Sequence, residues 1–201
     1  MCGIVGAIAN VNIVPILLEG LLRLEYRGYD SAGLVVTNHG LQRLRTTGRV
    51  TELRKLAAQQ KTQGLVGIAH TRWATHGEPS ERNAHPHFSG DESRIAVVHN
   101  GIIENHEEIR SYLKNQGFKF VSDTDTEVIA HLIQQIRKTT PDLFSAVQQA
   151  TMRLTGAYAI AVLREGDEHV IVARHGAPLL LGVSKDGYYA ASDAAALLQV
   201  T

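Results

Sequence analysis

CGIVGAIA, residues 2–9, alternates small and β-branched residues over the length of one strand, and it opens on the only cysteine of the chain. It reads as a buried strand. The spacing of Ile13, Ile16, Leu17, Leu21, Leu22 and Leu24 predicts a helix that ends before Gly28, a residue suited to stopping it. Short strands are expected over 33–37, 41–46, 65–70 and 94–99, separated by segments rich in Gly, Asn, His and Pro. Helices are expected over 105–116 and 124–138. Asp123 or Thr124 is a candidate cap for the second, with Glu127 three residues after Thr124 as in a capping box. A third helix over 141–153 precedes AYAIAVL (157–163), HVIVA (169–173) and PLLLGV (178–183), which have the length and composition of buried strands. Strand groups flanking paired helices predict an α+β layered domain, because a doubly wound α/β sheet alternates the two throughout.

A chain of 201 residues with 44% hydrophobic content is long enough for one domain with its own core. Lys plus Arg and Asp plus Glu are equal at 20 each, so no strong field steers the protein to nucleic acid or an anionic membrane. One cysteine excludes an internal disulfide, and no apolar run approaches the roughly 20 residues of a membrane span. The first ten residues lack the basic region and cleavage site of a secretory signal, so a cytoplasmic location is expected. Neither GxGxxG after a strand nor GxxxxGK[ST] occurs, and no cofactor is expected. His70, His76, His85, His87 and His99 fall within 30 residues, but without HExxH or a cysteine pair no metal site is expected.

Chemistry starts at Cys2. Removal of Met1 puts a thiol and a free α-amine on one residue, and an α-amine, with a reference pKa near 7.7–8, is a base at neutral pH where a peptide nitrogen is not. Nucleophile and base then travel together. Position alone is equally served by a small buried cysteine near a terminus.

Further strings remove that ambiguity: CGIVG at 2–6, LEYRGYDSAG at 24–33, HTRWATHG at 70–77, NAHPH at 83–87, HNGIIEN at 99–105 and SDTDTE at 122–127. In this order they resemble the class II glutamine amidotransferases, and most closely the glutaminase domain of the glucosamine-6-phosphate synthases (glutamine–fructose-6-phosphate aminotransferases). The resemblance implies an N-terminal-nucleophile hydrolase fold, a four-layer α/β/β/α sandwich with two mostly antiparallel sheets. It implies hydrolysis of L-glutamine to glutamate and ammonia through a Cys2 thioester. Asn100 and Gly101 match the family's donors to the oxyanion, although Asn-Gly by itself reads as a hairpin turn. Arg72 and Asp125 match the residues that hold the α-carboxylate and α-ammonium; apart from the resemblance, a solvated arginine and an aspartate at a helix N-terminus serve as well. Thr75 and His76 are implied to line the glutamine site in a loop that closes over substrate. Trp73, the only tryptophan and ordinarily a core anchor, matches a position controlling ammonia passage. Arg27 and Gly28 match an Arg-Gly pair beside the nucleophile.

Family enzymes carry a sugar-phosphate isomerase domain after the glutaminase and are homo-oligomers. Residues 1–201 are therefore expected to form the glutaminase domain alone, ending before its last strands, with fructose 6-phosphate reached only through the absent domain. A non-catalytic module of the same fold, and the glutaminase of another class II amidotransferase, are the alternatives.

Overall fold

The computed structural model describes residues 2–90 and 94–200; the expected removal of Met1 lies outside them. Among the described residues ten strands form two sheets. The first has the order β3-β2-β4-β1-β10-β9, from β1 (Gly3–Ala9), β2 (Ser31–Thr37), β3 (Leu41–Thr47), β4 (Val66–Arg72), β9 (Leu180–Ser184) and β10 (Gly187–Ala191). The second runs β5-β6-β7-β8, from β5 (His87–Ser89), β6 (Ile95–Gly101), β7 (Tyr158–Arg164) and β8 (Val170–His175). All the strand pairings are antiparallel.

Alternation along the strands explains the layering. Val5, Ala7 and Ala9 of β1 face a core shared with helices α1 (Val14–Leu22) and α2 (Val50–Gln59), while Ile4 faces the layer between the sheets. In the second sheet Ile95, Val97, Ile160 and Val162 face α3 (His106–Asn115), α4 (Glu127–Arg137) and α5 (Leu143–Thr151). Ala96, Val98, Ala159 and Ala161 face the other sheet, their small side chains allowing close sheet-on-sheet approach. The result is the expected α+β sandwich of α, β, β and α layers. Among the described residues no helix is long and apolar enough to cross a membrane.

Four expectations change. The first helix stops at Leu22, and a 3-10 turn over Glu25–Arg27 carries the chain to Gly28. Helix α2 was not expected from the sequence; only Val50, Leu53 and Ala57 of it are buried, a thin stripe on a polar segment. The capping box fails: Thr126 holds the N-cap position with no side-chain cap, and Glu127 instead accepts from Val121 N at 3.0 Å and from Ser122 N and Oγ at 2.7 and 2.6 Å. Thr126 Oγ1 is engaged at 2.9 Å with His99 Nδ1. Finally, PLLLGV and HVIVA supply edge strands rather than buried ones. β9 pairs only with β10, leaving Leu181 72% exposed, and β8 pairs only with β7 and is half-buried.

Candidate active site

The layer between the sheets is apolar in the middle and polar at one end. There, near the ends of β4 and β6, stand His70 and Asn100, two residues beyond Ile68 and Val98 on the same faces, and Cys2 precedes β1 two residues before Ile4. Strand periodicity thus delivers a thiol, an imidazole and an amide to one spot.

Cys2 Sγ accepts from Trp73 N at 3.3 Å, and its S–H lies 3.5 Å from Trp73 O. Burial pushes the thiol above its usual pKa, against the Trp73 N–H and the positive charges of the chain terminus and Arg72. The thiol is therefore protonated at neutral pH, and a base is needed to make it a nucleophile. Its main chain is held from two sides: Cys2 O accepts from Asn100 Nδ2 at 3.1 Å and from Arg27 Nη1 at 3.5 Å. Arg27 also donates to Ser192 Oγ at 3.4 Å and pairs with Asp193 at 3.4 Å, while Ser192 Oγ accepts from Ile4 N at 3.0 Å.

Gly28 has φ +92°, and a Cβ there would lie 2.2 Å from the Trp73 ring, so the indole covers a bare stretch of backbone. Trp73 is 53% exposed and is not a core anchor. Gly101, at φ +121°, likewise admits no side chain, since its Cβ would meet Ala157 O at 2.0 Å.

Arg72 is only 3% exposed, which removes the surface-charge reading. Its guanidinium donates to the main-chain oxygens of His76, Gly77 and Glu78 at 2.5, 2.8 and 3.4 Å and pairs with Asp30 at 3.4 Å. The loop after β4 is wound around this side chain. Asp125 is equally buried, accepts from Ile103 N at 2.8 Å and lies 4.0 Å from His99 Nδ1. Thr75 and His76 border the same cavity as Cys2, Gly101 and Asp125. That cavity is about 10 Å³, room for one water and far too small for an amino acid. Two buried imidazole nitrogens, His76 Nδ1 and His99 Nε2, have no hydrogen-bond partner among the described residues, and both residues line the cavity.

Of the residues singled out in the sequence, Cys2, Arg72, Trp73, Thr75, His76, Gly101 and Asp125 line one cavity, while Asn100 and Arg27 hold the Cys2 carbonyl and Gly28 lies under Trp73. The histidines do not form a metal cage: among the described residues no three of His, Cys, Asp or Glu are grouped to hold an ion. His70 and His85 instead stack at 4.1 Å, and His85 meets His87 edge-on at 4.9 Å. Asp30 was missed. It accepts from Ala74 N through Oδ2, and its own N–H donates to Arg72 O at 2.7 Å. It stands inside LEYRGYDSAG, but only the pairing of β2 with β4 reveals what it holds.

Residues 70–199 match the family described as Glutamine amidotransferase domain. The chain is 58% identical over its whole length to the glutamine–fructose-6-phosphate aminotransferases [isomerizing] of Acidithiobacillus ferridurans and Pseudomonas syringae pv. tomato. It spans about a third of the length of these relatives, 33% in each case. Among solved structures, glutamine phosphoribosylpyrophosphate amidotransferase from B. subtilis superimposes with a TM-score of 0.85 at 32% identity, over 98% of this chain and 43% of that one. A glutamine aminotransferase class-II domain protein from Silicibacter pomeroyi, 15% identical with a TM-score of 0.60 over 94% of this chain and 88% of that one, shares the fold.

Proposed function

Because the chain belongs to the glutamine amidotransferase domain family, we propose that it hydrolyses the side-chain amide of L-glutamine at Cys2. The observation that carries this reading is the meeting of a half-buried thiol with an amide donor, Asn100 Nδ2, 3.1 Å from the main-chain oxygen of the same cysteine. Once Met1 is removed, the α-amine of Cys2 takes the thiol proton, directly or through water, and Sγ adds to the amide carbon. Negative charge moves onto the carbonyl oxygen, where Asn100 Nδ2 and the Gly101 N–H stabilise it; losing one such donor costs about 2.7–4 kcal/mol of transition-state stabilisation. The intermediate collapses as the α-ammonium returns the proton to the leaving nitrogen. Ammonia departs, a thioester remains, and water cleaves it to glutamate.

Arg72 and Asp125 supply the charges that suit the α-carboxylate and α-ammonium of free glutamine. For Arg72 this requires exchanging loop carbonyls for the carboxylate. Substrate entry and loop rearrangement are therefore one event, in keeping with the small cavity. Trp73, over Gly28, is a fitting gate for departing ammonia. We assign the ammonia to fructose 6-phosphate on a separate domain, yielding glucosamine 6-phosphate; the 58% identity to the aminotransferases supports this acceptor.

Intact mass with and without 6-diazo-5-oxonorleucine, a glutamine-like electrophile, tests the reading. A chain lacking Met1 that gains one adduct at Cys2 is the expected result. A free Cys2 terminus that stays unlabelled in folded protein, with no glutamate released, would leave a non-catalytic module.

A further inference from the structure

We propose that His70 is a positioning residue of the glutaminase: it fixes the orientation of the Asn100 side-chain amide so that Nδ2 faces the reacting centre. The inference rests on the glutaminase activity proposed for Cys2.

The assignment of atoms comes from the bonds. His70 Nε2 lies 2.9 Å from His99 O and 3.0 Å from Asn100 Oδ1. A main-chain carbonyl only accepts, so Nε2 carries the hydrogen and the imidazole is the Nε2–H tautomer. The amide oxygen of Asn100 must then face His70, and its NH2 must face Cys2 O, an acceptor at 3.1 Å. Both ends of the amide report the same orientation. The flipped amide would set NH2 against an N–H and oxygen against oxygen.

The surroundings keep this tautomer in place. His70 is wholly buried, and burial first, then the neighbouring His99, bring its pKa down to about 3, so the ring stays neutral across the working range. A charged ring would put a hydrogen on Nδ1, which has no partner among the described residues. Stacking on His85 at 4.1 Å, with an interplanar angle of 21°, restrains ring rotation. His85 Nδ1 in turn accepts from His99 N at 3.3 Å, so the stack is tied to β6 just before Asn100. His70 itself does not line the cavity; its effect passes through the Asn100 amide.

A double-mutant cycle on glutamine hydrolysis tests the proposal, with the variants His70→Leu, His70→Gln and Asn100→Ala and the His70→Leu/Asn100→Ala pair. Glutamine places its own Nε2 donor close to where the imidazole Nε2 stands. His70→Leu should lower kcat about 10- to 100-fold with KM changed by less than about twofold, since a misaimed oxyanion donor acts in the transition state. His70→Gln should recover most of that loss. In the Asn100→Ala background His70→Leu should cost nothing further, because residues acting as a unit are not additive. The rate of Cys2 alkylation by iodoacetamide, which forms no oxyanion, should stay the same in the single His70 variants. If His70→Leu does not fold, His70→Asn, polar but too short to reach Asn100, takes its position in the cycle. The same loss with and without Asn100, or a glutamine variant as slow as leucine, overturns the role of His70. Wild-type rates in Asn100→Ala overturn the oxyanion reading itself, and with it this inference.

Discussion

Gly28 shows how a single hydrogen atom in place of a methyl sets the geometry beside the nucleophile. Its φ of +92° and the indole 2.2 Å from its missing Cβ leave no room for alanine, and Trp73 is the residue whose N–H contacts Cys2 Sγ. Gly28→Ala is expected to displace the indole and lower kcat/KM for glutamine by about tenfold or more, because small misplacements near the reacting atoms are costly. As Trp73 is the only tryptophan, its fluorescence reports the displacement directly, and an unchanged emission with unchanged kinetics would refute the packing argument. At this scale the sequence was informative about which residues meet and silent about how. Cys2, Asn100 and Gly101 were legible from residue chemistry and motif. That Arg72 is wrapped by its own loop, or that Asp30 ties β2 to Ala74, depends on strand pairings between residues far apart in the chain, which no local string encodes.

The turn over Ser122–Glu127 shows the same at the scale of elements. Its acidic end is buried, and Glu127 takes three donors from the preceding residues as well as His131 at 3.4 Å. Burial pushes this carboxyl up, but hydrogen bonds from His131, Ser122 and Val121 outweigh it and hold the pKa at about 2. Glu127→Ala strands those donors and should cost about 3–5 kcal/mol, the usual consequence of removing one partner from a buried charged network. For a domain of this size that lowers Tm by about 6–20 °C, measurable by calorimetry, and Glu127→Gln should lose less. Because Asp125 sits two residues upstream, KM for glutamine should rise in the same variant. Most elements were legible, since alternation marked β1, the Gly-, Asn-, His- and Pro-rich segments set off the strand at 94–99, and length with β-branched content marked β7, whereas PLLLGV was misjudged because an apolar run does not reveal whether a second sheet will cover it. Helix α2 escaped because its apolar stripe is only three residues wide.

Across the molecule, a polar seam of neutral histidines lies between two apolar sheets. Burial holds His70 and His87 at about 3, and it lowers His85 and His99 too. Below about pH 6.5 the unfolded chain binds protons that these groups refuse in the fold, so stability falls as pH falls below 6.5, His70 and His87 each adding a slope of about 1.4 kcal/mol per pH unit down to about pH 3. Urea midpoints at pH 7.5, 6.5 and 5.5 check this: the first two should nearly agree and the third should be clearly lower, whereas a flat series would mean the seam is hydrated or rearranged. The same architecture joins segments far apart in sequence, with β1 beside β10 and Arg27 linking Cys2 to Ser192 and Asp193. During translation the nucleophile is made first, and the residues that steady it arrive about 190 positions later. At about 5–20 residues per second that is an interval of about 10–40 s. A nascent chain therefore carries its cysteine well before Ser192 and Asp193 exist to hold Arg27 against the Cys2 carbonyl.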